Sequence, residues 1–363
     1  MITALTRNGR PPDKREQVVS FIRGRIVAGT LRPEDRIPTH HELERLCNAG
    51  SPTIRAAMDV LREEGFIATR HRKGAFVVRH PPHLSNYAVA FPPSSRSFVS
   101  RFYEAIRNEA EKLQQPERRI SSFHEIESHV DADDYQRLLG WVEAQRLAGL
   151  IFAGNPYRLR EMGSPLVTKA GVLRTAIMSE EGQCPFPTVY PDIRAFLPRA
   201  FDYLASRGRK RVAVVTLNIE STTSVQFERI QALAAGRGLT MQPHWLQGAV
   251  PGSPDWSRQI ALLLLHGRQS EYPDALVITD DNLVEGVTAG VLASGVPGAH
   301  LEVVAQANFP YPTRCHVPAK RLGYDISHLM TVCLERIEQQ RRGEIGPAHT
   351  SIPAVFEEEL GSG

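Results

Sequence analysis

Two sets of residues have the types and spacing to do chemistry. The first is cationic. Arg70-His71-Arg72-Lys73-Gly74 gathers three fixed cations and a histidine beside a residue of no bulk. Such a cluster neutralises phosphates rather than activating a nucleophile. Upstream, Ser51-Pro52 reads as an N-cap followed by proline at the first helical position. A helix N-terminus favours phosphate, and Thr53 and Arg55 in its first turn are placed to meet base edges or backbone. The bland alternatives are a charged hairpin tip and a solvated helix face. The second set is acidic and amidic. Asp280-Asp281-Asn282 closes the apolar run 276–279, Asn308 follows the run 303–305, and Asp192 opens an amphipathic stretch. Carboxylates and amides suit the hydroxyls of a small ligand, and each Asp is equally suited to capping a helix.

Catalytic motifs are missing from the sequence. It contains no GxSxG, P-loop or HExxH, and no GxGxxG at a strand-to-helix turn. The 13 His form no spaced ligand set, and His40 and His41 are adjacent, so they cannot face one metal. Cys47, Cys184, Cys315 and Cys333 are far apart without a CxxC, which points to neither a zinc site nor a disulfide framework. An enzyme, a cofactor and a metal are therefore not expected.

These residues need elements to hold them. Residues 1–12 contain Gly9, Pro11 and Pro12 and read as a flexible arm. From Asp13, Val18, Phe21, Ile22 and Ile26 recur at three and four residues, predicting an amphipathic helix that Gly29 ends. Thr39 caps a second helix with Leu43 and Leu46 inward. The third helix carries Ile54, Met58 and Leu61 and stops at Gly65. Residues 66–69 and 75–78 are short strands with the cationic segment at their tip. Helix, helix, turn, helix and basic hairpin predict a winged helix-turn-helix over 13–79. Residues 80–86, with Pro81 and Pro82, read as a semi-rigid linker.

From Tyr87 onward, strands at 87–91, 149–154, 186–190, 211–217, 276–279 and 303–305 alternate with helical patterns. That alternation predicts an α/β parallel sheet. About 270 residues exceed one such sheet, so two lobes are expected over 87–363. Charge divides the same way. Residues 1–83 hold 15 Lys and Arg against 9 Asp and Glu, a net of +6, and the remainder holds 28 against 31, a net of −3. A basic module on a mildly acidic one is the asymmetry of a nucleic-acid reader joined to a second function. No apolar run approaches ~18 residues, and the N-terminus has no apolar leader. No membrane span is expected, and the expected compartment is the cytoplasm.

Residues 14–79 resemble the DNA-binding domain of the GntR family of bacterial transcription factors. The resemblance is carried by Ile22, Ile26, Gly29, Leu31, Pro33, Asp35-Arg36-Ile37-Pro38 and Leu43, then by Thr53-Ile54-Arg55 with Ala57. Leu61, Glu64-Gly65-Phe66-Ile67 and Lys73-Gly74-Ala75-Phe76-Val77 complete it. Two departures stand out. Gly50-Ser51 occupies the position of a usual Ser-Arg, and His41 occupies that of a usual Arg. Both family arginines commonly touch DNA, so Arg55 and the wing are left with more of that task.

The region from Tyr87 to Glu357 is similar to the LacI/GalR effector domain. Its anchors are 135–154, Asp192 with its helix to Arg207-Gly208, Asp280-Asp281 with Gly286, Gly295-Val296-Pro297 and a closing helix at Gly323. The combination resembles the arabinose-repressor branch of the GntR family. An aminotransferase-like partner domain would need a pyridoxal lysine, and Lys112, Lys169, Lys210 and Lys320 lie in no such context.

The resemblance implies a bilobed fold of the type 1 periplasmic-binding-protein kind, with lobe 1 over about 87–190 and 311–341 and lobe 2 over about 191–308 and 342–363. It implies a homodimeric transcriptional regulator, a repressor, with double-stranded operator DNA and a sugar or sugar derivative as partners. The alternatives are an effector-independent repressor and a non-regulatory solute-binding protein. DNA contacts are expected from His41, Ser51, Thr53, Arg55, Arg70, His71, Arg72, Lys73 and Gly74. Ligand contacts are expected at the carboxyl ends of the strands, from Phe98 in the loop 94–98, Asp192, Asp280 and Asn308. The family's sugar-binding Arg aligns with Phe227, and Ala307 and Asn308 replace a common Asp pair. Asp281 is expected to cap its helix, leaving Asp280 for the ligand.

Overall fold

The computed structural model describes residues 13–93, 100–126, 131–179, 183–217, 223–250, 252–266 and 271–361. The expected arm and Phe98 lie outside the described residues. The chain forms two compact units, one of Met1–Ala90, Leu113–Leu150 and Tyr157–Leu173, the other of Phe91–Lys112, Ile151–Pro156 and Arg174–Gly363.

The first unit begins with α1 (Lys14–Val27), whose N-terminus is closed by a reciprocal Asp13–Glu16 capping box. A second box, Thr39 with Glu42, starts α2 (His40–Cys47). Helix α3 (Ser51–Glu63) is capped by Gly50 rather than by Ser51, so Pro52 stands one residue further in than expected. The hairpin of β1 (Ile67–Arg70) and β2 (Gly74–Val77) pairs Ile67 with Val77 and Arg70 with Gly74. Val18, Ile22, Ile26, Leu43, Ile54, Leu61 and Phe66 share one core. Two expected core residues are exposed: Phe21 at 38% and Leu46 at 57%. The eight residues of α2 offer a stripe only wide enough for Leu43, and Phe21 instead carries the Arg25 guanidinium over its ring at 5.7 Å.

Residues 80–86 are not a solvated spacer. They wind into the turn α4 (Pro82–Ser85), with Pro81, Pro82 and Ser85 buried. His83 stacks on Phe66 at 6.0 Å, and Arg119 bonds the His80 carbonyl and the Ser85 hydroxyl. A Cβ at Gly65, just past α3, would lie 3.6 Å from the Pro82 ring.

The alternation that follows is β3 (Asn86–Ala90), α5 (Arg101–Lys112), β4 (Arg119–Phe123), α6 (Asp133–Glu143), β5 (Gly149–Phe152), α7 (Tyr157–Glu161), α8 (Pro165–Thr168), β6 (Arg174–Ile177) and β7 (Thr188–Pro191). It continues as α9 (Ile193–Ser206), β8 (Val212–Leu217), α10 (Ser224–Ala235), β9 (Leu246–Ala249), α11 (Pro254–Leu264), β10 (Ala275–Ile278) and α12 (Asp281–Ser294). The chain closes with β11 (Glu302–Phe309), β12 (Lys320–Asp325), α13 (Ile326–Arg341), β13 (His349–Ile352) and β14 (Val355–Phe356). Two six-stranded sheets result, in the orders β13-β7-β6-β5-β3-β4 and β14-β12-β11-β10-β8-β9.

Strand pairing divides the C-terminal stretch differently from the expected lobes. Strand β12 pairs with β11 and so belongs to the second sheet, not to lobe 1. Strand β13 pairs with β7 and belongs to the first sheet, not to lobe 2. Gly323 lies in β12 rather than opening a helix. A Cβ there would fall 1.7 Å from the Ala307 carbonyl oxygen, so the two backbones meet only because residue 323 has no side chain. Gly286 and Gly290 similarly let α12 lie against α11.

Candidate functional site

The first candidate is the surface of the winged helix. Gly50 offers no side chain to cap α3, so the amides of its first turn keep no side-chain partner there. Arg55 is exposed and makes no hydrogen bond or ion pair with the described residues. Thr53 is half-buried and Ser51 exposed. His41 is exposed on α2 and lies 3.6 Å from Glu44. At the wing tip, Arg70 is committed in part, 3.5 Å from Glu34 and 4.5 Å over the Phe76 ring. His71, Arg72 and Lys73 are exposed. Arg72 and Gly74 carry the tight turn with φ of 59° and 102°. Arg55, His71, Arg72 and Lys73 thus stand exposed on one folded module, whose core runs from Val18 to Val77.

Arg36 is a residue the sequence reading passed over as a contact. It is exposed, and its Nε would lie 3.3 Å from a Cβ at Gly74, so it flanks the tip.

The second candidate lies wholly in the second unit. A cavity of about 700 Å³ is lined from α5 by Phe102 and Tyr103, from the end of β5 by Asn155, and from α9 by Phe196. The ends of β10, β11 and β12 contribute Asp280, Asp281, Gln306, Asn308 and Tyr324. Strand alternation places Gln306 and Asn308 on one face. The Gln306 amide donates to the Asn308 side-chain oxygen at 3.2 Å, and Asn308 Nδ2 donates to Asp281 Oδ2 at 2.5 Å.

The capping expected of Asp281 falls to Asp280. Asp280 caps α12, its Oδ1 accepting from Asn282 N at 2.9 Å and Asn282 Nδ2 at 2.6 Å. Asp281 is only 2% exposed and holds Asn308. Burial raises the Asp280 carboxyl against the hydrogen bonds from Asn282. Burial and the neighbouring Asp280 charge push Asp281 up to about 7, with the Asn308 bond acting in the opposite sense. Extended geometry at Asp280 (φ −144°) fits the cap position, whereas Asp281 is already helical.

The other expected ligand residues fall elsewhere. Asp192 caps α9, accepting from Ala195 N at 3.1 Å, and borders a smaller adjoining recess. Phe227 is half-exposed near the start of α10 and is not among the cavity's lining residues. Asp280 and Asn308 both line the cavity, together with Asp281, which was expected only as a cap, and with Gln306 and Tyr324, which the sequence did not single out as ligand residues. Two amides spaced by one residue in a buried strand were the available signal for Gln306. Among the described residues no group of three or more His, Cys, Asp or Glu could hold a metal, and no helix is long and apolar enough to cross a membrane.

Comparison with known proteins agrees with both halves. Residues 14–77 match the family described as bacterial regulatory proteins, gntR family. A stretch of 68 residues is 29% identical to the arabinose metabolism transcriptional repressor of Geobacillus stearothermophilus, covering 19% of this chain and 18% of that protein. The chain thus matches less than a fifth of that relative's length. Solved structures are similar over most of the chain. A LacI-family regulatory protein of Chloroflexus aggregans is 18% identical, with a TM-score of 0.57 over 75% of this chain and 96% of its own. A LacI-family transcriptional regulator of Lactobacillus casei with bound glucose is 14% identical, with a TM-score of 0.55 over 75% and 98%. The lactose repressor bound to an anti-inducer is 14% identical, with a TM-score of 0.54 over 74% and 97%. The chain therefore joins a winged helix-turn-helix that matches the gntR family over residues 14–77 to a domain with the fold of LacI-family regulators.

Proposed function

We propose that the protein is a DNA-binding transcriptional repressor, active as a homodimer in the cytoplasm, whose operator affinity is set by a small hydroxylated effector. The observation that carries this reading is the pairing, in one chain, of a gntR-type helix bearing an unengaged Arg55 with a polar and aromatic cavity. Arg55, Thr53 and Ser51 read the major groove, while Arg72, Lys73 and Gly74 hold phosphate or the minor groove and His41 touches the backbone. Each chain has one reading helix, so a two-fold operator needs two chains. The cavity binds the effector through Asp281, Asn308, Gln306 and Asp280. A ligand that prefers one arrangement of the lobes shifts the population toward it and alters the DNA heads with it. The chemistry involved is binding, without catalysis.

The test is to select operator sequences from random duplexes with the full chain and titrate the best one with a sugar library. Release of DNA by a compound that also raises the melting temperature supports the reading. Tight operator binding that no stabilising compound alters would leave an effector-independent repressor.

A further inference from the structure

We infer that the effector carries a protonated amine, such as an amino sugar, and is neither a neutral sugar nor an acid. This rests on the reading of the cavity as the effector site and goes further, to the charge of its ligand. The starting observation is an imbalance. Asp280 and Asp281 are adjacent carboxylates in one cavity, and no Lys, Arg or His is among its described lining residues. Their partners are neutral amides, Asn282 for Asp280 and Asn308 for Asp281. Neutral donors satisfy lone pairs without cancelling charge. Arg101 acts on Asp281 electrostatically, but its guanidinium is 3.0 Å from Glu285 and it is not among the cavity's lining residues.

A second group also waits for a partner. Tyr324 is 5% exposed, lines the cavity, and its hydroxyl makes no hydrogen bond with the described residues. That hydroxyl is therefore placed to meet a ligand atom in the cavity. Phe102, Tyr103 and Phe196 complete the wall with aromatic rings, whose faces attract cations.

Three ligand types can be weighed against this set. An acid is repelled by the carboxylate pair. A neutral sugar offers hydroxyl donors and leaves the charge uncancelled. An ammonium supplies donors and positive charge at once, and charge-assisted bonds to carboxylates are roughly twice as strong as neutral ones. With no such ligand, a proton on Asp281 is the remaining way to lower the charge, and its raised carboxyl agrees with that.

The experiment uses the full chain at neutral pH. Thermal melting is followed with glucosamine, galactosamine, mannosamine and putrescine, each hexosamine beside its neutral hexose, and with glucuronate. A hexosamine is expected to stabilise more than its hexose at equal concentration. Calorimetry should show Asp281→Asn weakening that amine by about tenfold or more, with Tyr324→Phe as a second, milder variant if Asp281→Asn fails to fold. Stabilisation by putrescine alone keeps the amine and removes the sugar skeleton. The inference is overturned if a neutral hexose or glucuronate stabilises more than every amine, if all amines are silent, or if the variants leave amine affinity unchanged. In the first case, operator release by that hexose or glucuronate would preserve the effector reading while this inference fails.

Discussion

Arg55 and Lys73 are both exposed cations, yet they occupy different physical positions. Arg55 stands near the N-terminus of α3, and Lys73 stands at a hairpin tip. Arg55→Ala is expected to cost about 1–3 kcal/mol on the selected operator and much less on random duplex. Lys73→Ala is expected to weaken both alike and reduce the salt slope by about one. Anisotropy titrations at several salt concentrations separate the two, and equal losses on both duplexes for Arg55→Ala would make it a backbone contact. Asp281 makes a different kind of prediction. Its carboxyl is raised to about 7 in the fold from an ordinary 3.8. The folded state therefore holds that proton more tightly than the unfolded chain. The stability it confers is full below the ordinary value and is lost as pH rises through about 7. Asp281→Asn should melt closer to the parent at about pH 5 and several °C above it at about pH 8. An unchanged difference across that range would show a normal carboxyl. These residues differ in how legible they were. The cationic tip and Arg55 sit in a dense local motif, whereas Asp281, Gln306 and Tyr324 meet only after distant strands pair. The choice between Asp280 and Asp281 turned on one backbone dihedral that composition does not encode.

At the scale of elements, capping boxes and glycines did much of the specifying. Asp13–Glu16 and Thr39–Glu42 are readable three residues apart. Strands β4, β6, β9, β12, β13 and β14 were not read, because they are partly exposed or carry polar residues and lack the continuous apolar run that marks β3, β5 and β10. For the same reason the sequence did not say which sheet β12 and β13 would join. Two contacts give tests. A Cβ at Gly290 would stand 2.4 Å from the Arg258 carbonyl oxygen. Gly290→Ala gains helix propensity of about 1 kcal/mol but must push α11 and α12 apart. A net loss of about 1–3 kcal/mol is expected in thermal melts, and a stabilised variant would mean that the helices are not so close. Glu64 accepts from Arg23 at 2.5 and 2.7 Å, with side chains 18% and 12% exposed. Glu64→Ala leaves Arg23 without that partner beside Phe66 and should destabilise the winged helix by about 3 kcal/mol, read as early loss of DNA binding on heating.

At the scale of the molecule, charge asymmetry and the order of elements made the two-part architecture visible before any contact was known. The packing of 80–86 was not visible, since two prolines in a polar run look the same whether solvated or covered. Dimerisation belongs to this scale. Sedimentation of the full chain with operator should give two chains per duplex, and one-to-one complexes with a single-half-site footprint would refute it. The most direct test of the central claim, that a ligand in the cavity governs DNA binding by the winged helix, is the operator affinity of the full chain measured with and without a saturating compound that stabilises it. At least a tenfold weakening is expected, with the half-maximal compound concentration raised about tenfold or more in Asp281→Asn. Identical isotherms with and without that compound would contradict the claim.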